Sequence, residues 1–175
     1  MRSHFDQVIR DLNLLWHLAK FDPIVIGTPP LGLAIESSDI DIACSASDLD
    51  EFGNVTMERL GHFDLFSLRY TKHQSEPALL ASFVSSGWEI EIFCQRLRTK
   101  DQWGVRHFRI EQRLLAVAPD LRSDVLALKR FGLKTEPAFA KRLQLPGDPY
   151  EAMLTLESRT DDELCEIARR SLRQC

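Results

Sequence analysis

The sequence of 175 residues predicts an α+β fold, in which a mixed β-sheet core is followed by a helical C-terminal part. Apolar residues first recur at helical spacing from Ser3 to Lys20. Short apolar or alternating segments, which are typical of strands, then occupy much of the chain between Ile24 and Gln95. Helical spacing returns after Thr99. We therefore expect a core over residues 1–98 and a helical region over residues 99–175 that packs on the core.

The predicted core begins with a single helix over Ser3–Lys20, which the pair Asp22-Pro23 ends. A short buried strand follows at Ile24–Ile26, and Gly27 closes it. A loop of sequence TPPLGLAIESS then leads to a second strand from Asp39 to Cys44. This second strand is unusual because it carries two aspartates among apolar residues, and a carboxylate is costly to bury without a partner.

The rest of the core is predicted to be one helix and three strands. Ser47 is the expected N-cap of the helix, since acidic residues suited to the helix dipole fill the turn after it. A strand pattern begins at Phe63, and the turn Ser85–Gly87 predicts a hairpin between the last two strands. The helices expected after the core lie at Thr99–Val117, Leu121–Phe131, Ala138–Leu143, Pro149–Leu156 and Asp161–Leu172.

The composition is that of a globular protein, with 44% hydrophobic and 27% charged residues. The formal net charge of -4 argues against nonspecific nucleic-acid binding. The charge is uneven, because residues 1–64 hold 11 acidic and 4 basic side chains. The remaining, more basic part of the chain could therefore supply cations for a ligand that bears phosphate.

The four cysteines show no CxxC spacing and no nearby pair of histidines, so a zinc site is not expected. The N-terminal segment is amphipathic and carries acidic residues, which is unlike a signal peptide. No apolar run approaches the length of a membrane span. We expect a cytoplasmic protein with reduced thiols and no membrane partner.

The candidate site consists of acidic side chains on two predicted strands. Asp39 and Asp41 lie two residues apart, so on a strand they share one face. Glu89 and Glu91 repeat that spacing in the segment WEIEIF. If the two strands are neighbours, three or four carboxylates converge, and Mg²⁺ would offset their repulsion. The alternative is a set of solvent-facing acidic residues on ordinary alternating strands.

The Gly27-Thr28 turn lies a fixed distance before the aspartates. Glycine allows the backbone to approach a ligand closely, and a Thr hydroxyl with backbone N–H groups can hold phosphate oxygens. The alternative is a plain turn after a strand. Arg106, at the start of a later helix, could meet phosphate or substrate, or could belong to a solvated helix start.

These residues carry a family resemblance. The pattern VIGT, then PPLGLAIESS, then DID resembles the motif of the nucleotidyltransferase superfamily of DNA polymerase beta, aminoglycoside nucleotidyltransferases and minimal nucleotidyltransferases. Over much more of the chain, the sequence resembles an uncharacterised bacterial family, domain of unknown function 4269, which is grouped with that superfamily. The segments that carry this second resemblance are IGTPPLGLAIESSDIDIAC, WEIEIF, RHFRIEQRLL and GLKTEPAFAKRLQLPGDPYEAML.

The resemblance implies a nucleotidyltransferase-like core that binds two Mg²⁺ ions and uses an NTP as substrate. By position, Gly27 and Thr28 match the phosphate-holding turn, and Asp39 and Asp41 match the metal-binding pair. Glu91, with Glu89 as the alternative, matches the third carboxylate, which completes the metal site or activates the attacking hydroxyl. The implied reaction transfers a nucleoside monophosphate to the hydroxyl of an acceptor that the resemblance does not specify.

The sequence departs from the usual motif in its loop. Leu31 stands where many members of the superfamily carry an arginine, and neither Pro29 nor Pro30 has a backbone N–H to offer to phosphate. These departures favour an alternative, a catalytically inactive module of the same fold that binds a nucleotide or a protein. A third possibility is a metal-dependent phosphoesterase, in which water is the acceptor.

Overall fold

The computed structural model describes residues 2–170, and these residues form two compact units. The first unit consists of the described residues up to Pro29 together with Ser38–Val105. The second consists of Pro30–Ser37 together with the described residues from Arg106 onward. The unit boundary at Val105 lies later in the chain than the predicted boundary after residue 98, and the loop 30–37 belongs to the second unit.

The predicted single helix at Ser3–Lys20 is wrong, because the structure has three short pieces there. Helix α1 spans Phe5–Asp11, α2 spans Leu14–His17, and a 3₁₀ turn spans Ala19–Phe21. Asn13 separates α1 from α2 with a φ of 50°, in the left-handed region that asparagine tolerates better than most residues. Apolar spacing continues across this break, so periodicity alone did not reveal it.

The five strands found within residues 2–170 all belong to one mixed sheet in the first unit, which confirms the predicted fold class. The strands follow the order β1-β2-β5-β4-β3 across the sheet. Strands β2 and β5 run parallel, and every other neighbouring pair is antiparallel. The predicted hairpin is confirmed as β4 and β5. The strand bounds are Ile24–Ile26 for β1, Ile40–Ser45 for β2, Asp64–His73 for β3, Glu76–Ser85 for β4 and Trp88–Gln95 for β5.

Helix α3 spans Leu49–Leu60, and its N-cap is Asp48 rather than the predicted Ser47. The Asp48 carboxylate accepts hydrogen bonds from the backbone N–H groups of Asp50 and Glu51, at 2.9 and 3.3 Å. Serine and aspartate are both good caps, so the sequence offered two adjacent candidates. The difference shifts the start of the helix by one residue.

The apolar face of the sheet forms the core of the first unit. Alternate residues of the central strands are buried there, among them Ile42, Ile92 and Phe83. Phe21 and Phe52 pack on this face with their ring centroids 5.1 Å apart. Because strand side chains alternate between faces, this burial forces the residues between them to the opposite face of the sheet.

The second unit is helical, and its core is a separate apolar cluster that includes Leu114, Val125 and Phe139. Helix α4 begins in the first unit, and its residues from Arg106 onward belong to the second. The predicted end of the last helix at Leu172 lies outside the described residues. Within residues 2–170, no helix is both long and apolar enough to cross a membrane. The helix bounds are Trp103–Val117 for α4, Leu121–Arg130 for α5, Thr135–Arg142 for α6, Pro149–Leu154 for α7 and Asp161–Arg170 for α8.

Glu111 on α4 is a carboxyl group buried inside the second unit, with 4% of its surface exposed. Burial, together with the charge of Glu136, raises the pKa of Glu111 well above its usual value, and Lys129 offsets only part of this effect. Among the described residues, the Oε1 atom of Glu111 has no hydrogen-bond partner. The protonated form of Glu111 is therefore the form that this helical core favours.

Replacement of Glu111 by glutamine is expected to flatten the pH dependence of unfolding. An acid whose pKa is raised on folding destabilises the folded state as the pH rises from its unfolded pKa towards its folded pKa. Above about pH 5, the wild-type free energy of unfolding should therefore lose at most about 1.4 kcal/mol per pH unit through Glu111. In E111Q this contribution should disappear. Urea unfolding between pH 5 and 8 measures it.

The matched control is Glu166→Gln, because Glu166 is exposed on α8 and pairs with Arg170 at the surface. Removing its charge should leave the pH profile close to that of the wild type. Equal slopes for the wild type and E111Q would contradict the assignment of a buried, protonated Glu111.

Candidate functional site

Three carboxylates converge on the polar face of the sheet. Asp41 on β2 lies directly opposite Glu91 on β5 in the parallel ladder. Asp39 immediately precedes β2, and oxygens of Asp39, Asp41 and Glu91 all lie within 4.8 Å of one another. All three residues are half-buried. The condition on which the sequence-based hypothesis depended, that these two strands are neighbours, is met.

The local sequence explains why the carboxylates point the same way. Ile40 and Ile42 flank Asp41, and Ile90 and Ile92 flank Glu91, and all four isoleucines are buried in the core. A shift of one residue in either strand would bury a carboxylate and expose two isoleucines. Hydrophobic burial therefore fixes the register that brings Asp41 and Glu91 together.

Gly27 is in close contact with the Asp41 carboxylate. Strand β1 pairs with β2 so that Ile26 lies opposite Asp41, and Gly27 follows with a φ of 79°. A Cβ atom at position 27 would lie 2.2 Å from Oδ2 of Asp41, which is far inside van der Waals contact. Glycine is therefore required here both by its backbone conformation and by the space that the carboxylate occupies.

Thr28 is buried, and its hydroxyl donates a hydrogen bond to Oγ of Ser38 at 3.0 Å. This bond ties the two ends of the loop together next to Asp39. It also uses the hydroxyl proton that was predicted to hold phosphate. The phosphate-binding role of Gly27 and Thr28 stays a prediction.

The donor set fits Mg²⁺. Three carboxylate groups offer only hard oxygen ligands, which Mg²⁺ prefers, and their mutual approach is unfavourable without a cation. The 4.8 Å spacing lets the oxygens reach a shared cation, and the bare backbone at Gly27 leaves the Asp41 carboxylate unobstructed. Sulfur and imidazole ligands, which favour softer metals, are not part of this cluster.

Two other predicted site residues, Glu89 and Arg106, are not part of the carboxylate cluster. Glu89 precedes Glu91 by two residues on β5 and is exposed, and it is not among the three residues of the cluster. Arg106 belongs to the second unit, where Nη2 approaches Oε2 of Glu157 at 2.6 Å. This ion pair lowers the pKa of Glu157. Ligand-binding roles for Glu89 and Arg106 stay predictions.

A pocket of about 320 Å³ lies beside the carboxylates within the first unit, and the sequence did not reveal it. Its wall includes Asp41 and Glu91, and it continues across the sheet to β3. The residues that sequence reasoning missed are Arg69 and Lys72 on β3, Phe93 on β5, and Gln102 and Trp103 next to the sheet. Polar residues alternate along β3, which could have predicted that Arg69 faces away from the core. The sequence did not show where β3 lies in the sheet, so it could not connect Arg69 with the carboxylates.

The family comparison agrees with the motif. A family model described as a domain of unknown function, DUF4269, matches residues 7–156. The chain belongs to the DUF4269 family. No curated protein matches this DUF4269 chain significantly.

Solved structures similar to this DUF4269 member share its fold. The Cid1 poly(U) polymerase with MgGTP bound is 16% identical, with a TM-score of 0.54 over 87% of this chain and 49% of that chain. A cytoplasmic RNA terminal U-transferase is 15% identical, with a TM-score of 0.53 over 87% of this chain and 47% of that chain. The DUF4269 chain therefore spans about half the length of these proteins. The predicted nucleotidyltransferase fold is confirmed.

Proposed function

We propose that this chain is a Mg²⁺-dependent nucleotidyltransferase. It transfers a nucleoside monophosphate from an NTP to a hydroxyl group of an acceptor and releases pyrophosphate. The observation that carries the proposal is the meeting of Asp39, Asp41 and Glu91 within 4.8 Å, next to a glycine whose bare backbone touches Asp41. Fold alone would be a weak argument, because one fold serves many functions.

The carboxylates are suited to hold two Mg²⁺ ions. Asp39 and Asp41 are the ligands proposed for both ions, and Glu91 completes the site or accepts the proton of the attacking hydroxyl. When bound, Mg²⁺ neutralises the negative charge of the triphosphate and aligns it for in-line attack. The protein itself contributes position, because the ladder between β2 and β5 holds the Asp41 and Glu91 backbones rigidly.

The proposed substrates rest in part on the similar structures. They include the Cid1 poly(U) polymerase bound to MgGTP and Cid1 in complex with a UTP analogue. A nucleoside triphosphate is therefore the substrate class proposed for this chain. The acceptors that those proteins use are not proposed for this chain, because the chain spans only about half of their length.

A second candidate is a module of the same fold that binds a nucleotide without catalysis. The Gly27 loop supports it, since Pro29 and Pro30 lack N–H groups and the Thr28 hydroxyl already donates to Ser38. The two candidates differ in products, because transfer yields pyrophosphate and an adduct and a binding module yields neither. Hydrolysis, the third possibility raised by the sequence, would yield no adduct.

Replacement of Glu91 by glutamine is expected to weaken metal binding while leaving the fold intact. We expect the affinity for Mn²⁺, as a paramagnetic substitute for Mg²⁺, to fall at least about tenfold in the presence of a non-hydrolysable NTP. Electron paramagnetic resonance measures the affinity and also counts the ions, of which two are expected in the wild type.

Glu89→Gln is the matched control, since it makes the same chemical change two residues earlier on the same strand. It should bind Mn²⁺ within about twofold of the wild type, because its side chain is exposed and outside the carboxylate cluster. The proposal is contradicted if the wild type binds no metal with any of the four NTP analogues. If E89Q loses affinity and E91Q does not, Glu89 is the third ligand.

A further inference from the structure

The three carboxylates differ in how their backbones are held. Asp41 lies between β1 and β5 and pairs with a residue of each strand. Glu91 is held in the same way, between β2 and β4. Asp39 lies outside these ladders, because β2 and its pairing with β5 begin one residue later, at Ile40. The sheet therefore fixes the backbones of two of the three carboxylates, and the position of Asp39 depends on other contacts.

The peptide group that leads into Asp39 is held by Arg2. Nη2 of Arg2 donates a hydrogen bond to the carbonyl oxygen of Ser38, the residue before Asp39. This carbonyl group and the backbone N–H of Asp39 belong to one planar peptide unit. The hydrogen bond therefore restrains the backbone from which the Asp39 carboxylate extends. Thr28 restrains the same residue by a second route, since its hydroxyl donates to Oγ of Ser38 at 3.0 Å.

Arg2 is itself held in place by Trp88, the first residue of β5. Cζ of Arg2 lies 3.2 Å from the centroid of the Trp88 ring, which is a cation–π contact. The indole N–H of Trp88 donates to the carbonyl oxygen of Ser3 at 2.9 Å. The stem of Arg2 lies against the hairpin turn, because a Cβ atom added to Gly87 would be 3.7 Å from Cγ of Arg2. Two successive residues of the N-terminal segment thus contact one buried tryptophan.

These contacts distinguish Arg2 from a solvated surface arginine. A long side chain that must hold one carbonyl group in a single geometry loses rotamer entropy. Here the stacking on Trp88 already restricts the side chain, and the planar guanidinium can stack and donate a hydrogen bond at the same time. The hydrogen bond to Ser38 therefore costs little additional entropy, which makes it an effective restraint.

The guanidinium of Arg2 lies on the core side of the sheet. Trp88 belongs to the apolar core of the first unit. Side chains alternate along a strand, so Glu89 and Glu91 face the side opposite to Trp88. Arg2 is therefore not a member of the carboxylate cluster, and it reaches Asp39 through the backbone.

We propose that Arg2 is a positioning residue of the metal site. It holds the peptide group between Ser38 and Asp39, so that the Asp39 carboxylate stays close to the other two carboxylates. This inference rests on the proposed function, because that function assigns the three carboxylates to metal binding. Arg2 supplies to Asp39 the support that the β2–β5 ladder supplies to Asp41 and Glu91.

The charge of Arg2 and its positioning role predict opposite effects on metal binding. A positive charge near a metal site repels the cation, so removal of that charge by itself strengthens metal binding. Loss of a group that orients a ligand weakens metal binding instead, typically by about 10–100-fold. The direction of the change in a variant without the guanidinium therefore separates the two effects.

Replacement of Arg2 by glutamine tests the proposal. We expect the affinity for Mn²⁺, measured by electron paramagnetic resonance with a non-hydrolysable NTP, to fall about tenfold. Arg2→Met keeps an apolar stem beside Gly87 and should lose affinity by about the same factor, which provides a second variant if R2Q does not fold. Far-ultraviolet circular dichroism establishes that each variant is folded before its affinity is compared.

Two control variants separate position from charge and from stability. Arg10→Gln removes an exposed cation of α1, whose side chain donates only to Gln7 among the hydrogen bonds of the described residues. Gly87→Ala strains the turn beside Arg2, at a φ of 78°, without removing the bond to Ser38. Both should bind Mn²⁺ within about twofold of the wild type.

Two results would overturn the inference. In the first, R2Q binds Mn²⁺ as tightly as the wild type or more tightly. In the second, G87A loses as much affinity as R2Q, which would show that reduced stability rather than the position of Asp39 weakens metal binding. A wild type that binds no Mn²⁺ with any NTP analogue would instead refute the proposed function.

Discussion

Replacement of Asp41 by asparagine is expected to abolish Mg²⁺-dependent NTP binding, with a loss of affinity or turnover on the order of 10³-fold. Asp41 lies at the centre of the cluster, since it faces Glu91 across the β2–β5 ladder and touches Gly27. Asparagine keeps the size of the side chain but removes the negative charge that a metal ion requires. The fold should therefore persist while the ligand-binding property is lost.

The same variant has a second expected property that a purely structural role would not produce. Without metal, three carboxylates within 4.8 Å repel one another, so D41N should unfold at a higher temperature than the wild type. With Mg²⁺, the wild type should gain thermal stability by linkage, and D41N should not. Calorimetric melting curves with and without Mg²⁺ measure both effects.

Asp64→Asn is the control for this pair of measurements, because Asp64 is an exposed aspartate at the start of β3. It should bind Mg²⁺ and NTP like the wild type and should respond to Mg²⁺ in the same way. A D41N protein that still gains stability from Mg²⁺ would rule out the carboxylate cluster as the metal site.

Replacement of Gly27 by alanine is expected to disrupt the site as severely as D41N and also to destabilise the fold. The new Cβ would lie 2.2 Å from Oδ2 of Asp41, so either the carboxylate or the end of β1 must move. The φ of 79° adds about 1–2 kcal/mol of backbone strain for any residue other than glycine. Binding of Mg²⁺ with NTP, and the free energy of unfolding in urea, should both decrease.

Gly87→Ala separates the steric clash from the backbone strain. Gly87 has nearly the same φ, 78°, in the hairpin of the same unit, but the nearest atom to an added Cβ is Cγ of Arg2 at 3.7 Å. G87A should therefore show the backbone strain alone and should keep its ligand binding. If G27A and G87A behave alike, the close approach of Gly27 to Asp41 has no functional importance.

Local sequence was enough to identify the strands that carry the acidic residues and the faces that these residues share. Buried isoleucines alternate with acidic residues in both segments, so the common face of Asp39 and Asp41 follows from the geometry of a strand. The hairpin of β4 and β5 was predictable for the same local reason, since a short turn with glycine joins two apolar segments.

Two predicted helix boundaries in the first unit were wrong, because each boundary depended on a single residue. Apolar spacing predicted one helix across Asn13, but a single residue in the left-handed region is enough to end a helix. Ser47 and Asp48 were both suitable caps, and the hydrogen bonds to Asp50 and Glu51 selected Asp48. Sequence patterns describe a preference averaged over several residues, whereas a helix boundary can depend on a single residue.

The sequence by itself determined the mixed α+β class, the acidic residues and the glycine before them, because strand alternation and turn chemistry act over a few neighbouring residues. Only the tertiary structure decided that β2 lies parallel to β5, with Asp41 opposite Glu91, and that Gly27 touches Asp41. It also decided that β3 contributes Arg69 to the pocket beside these carboxylates. Such pairings join segments far apart in the chain, and the burial of the whole sheet, rather than any local preference, selects among them.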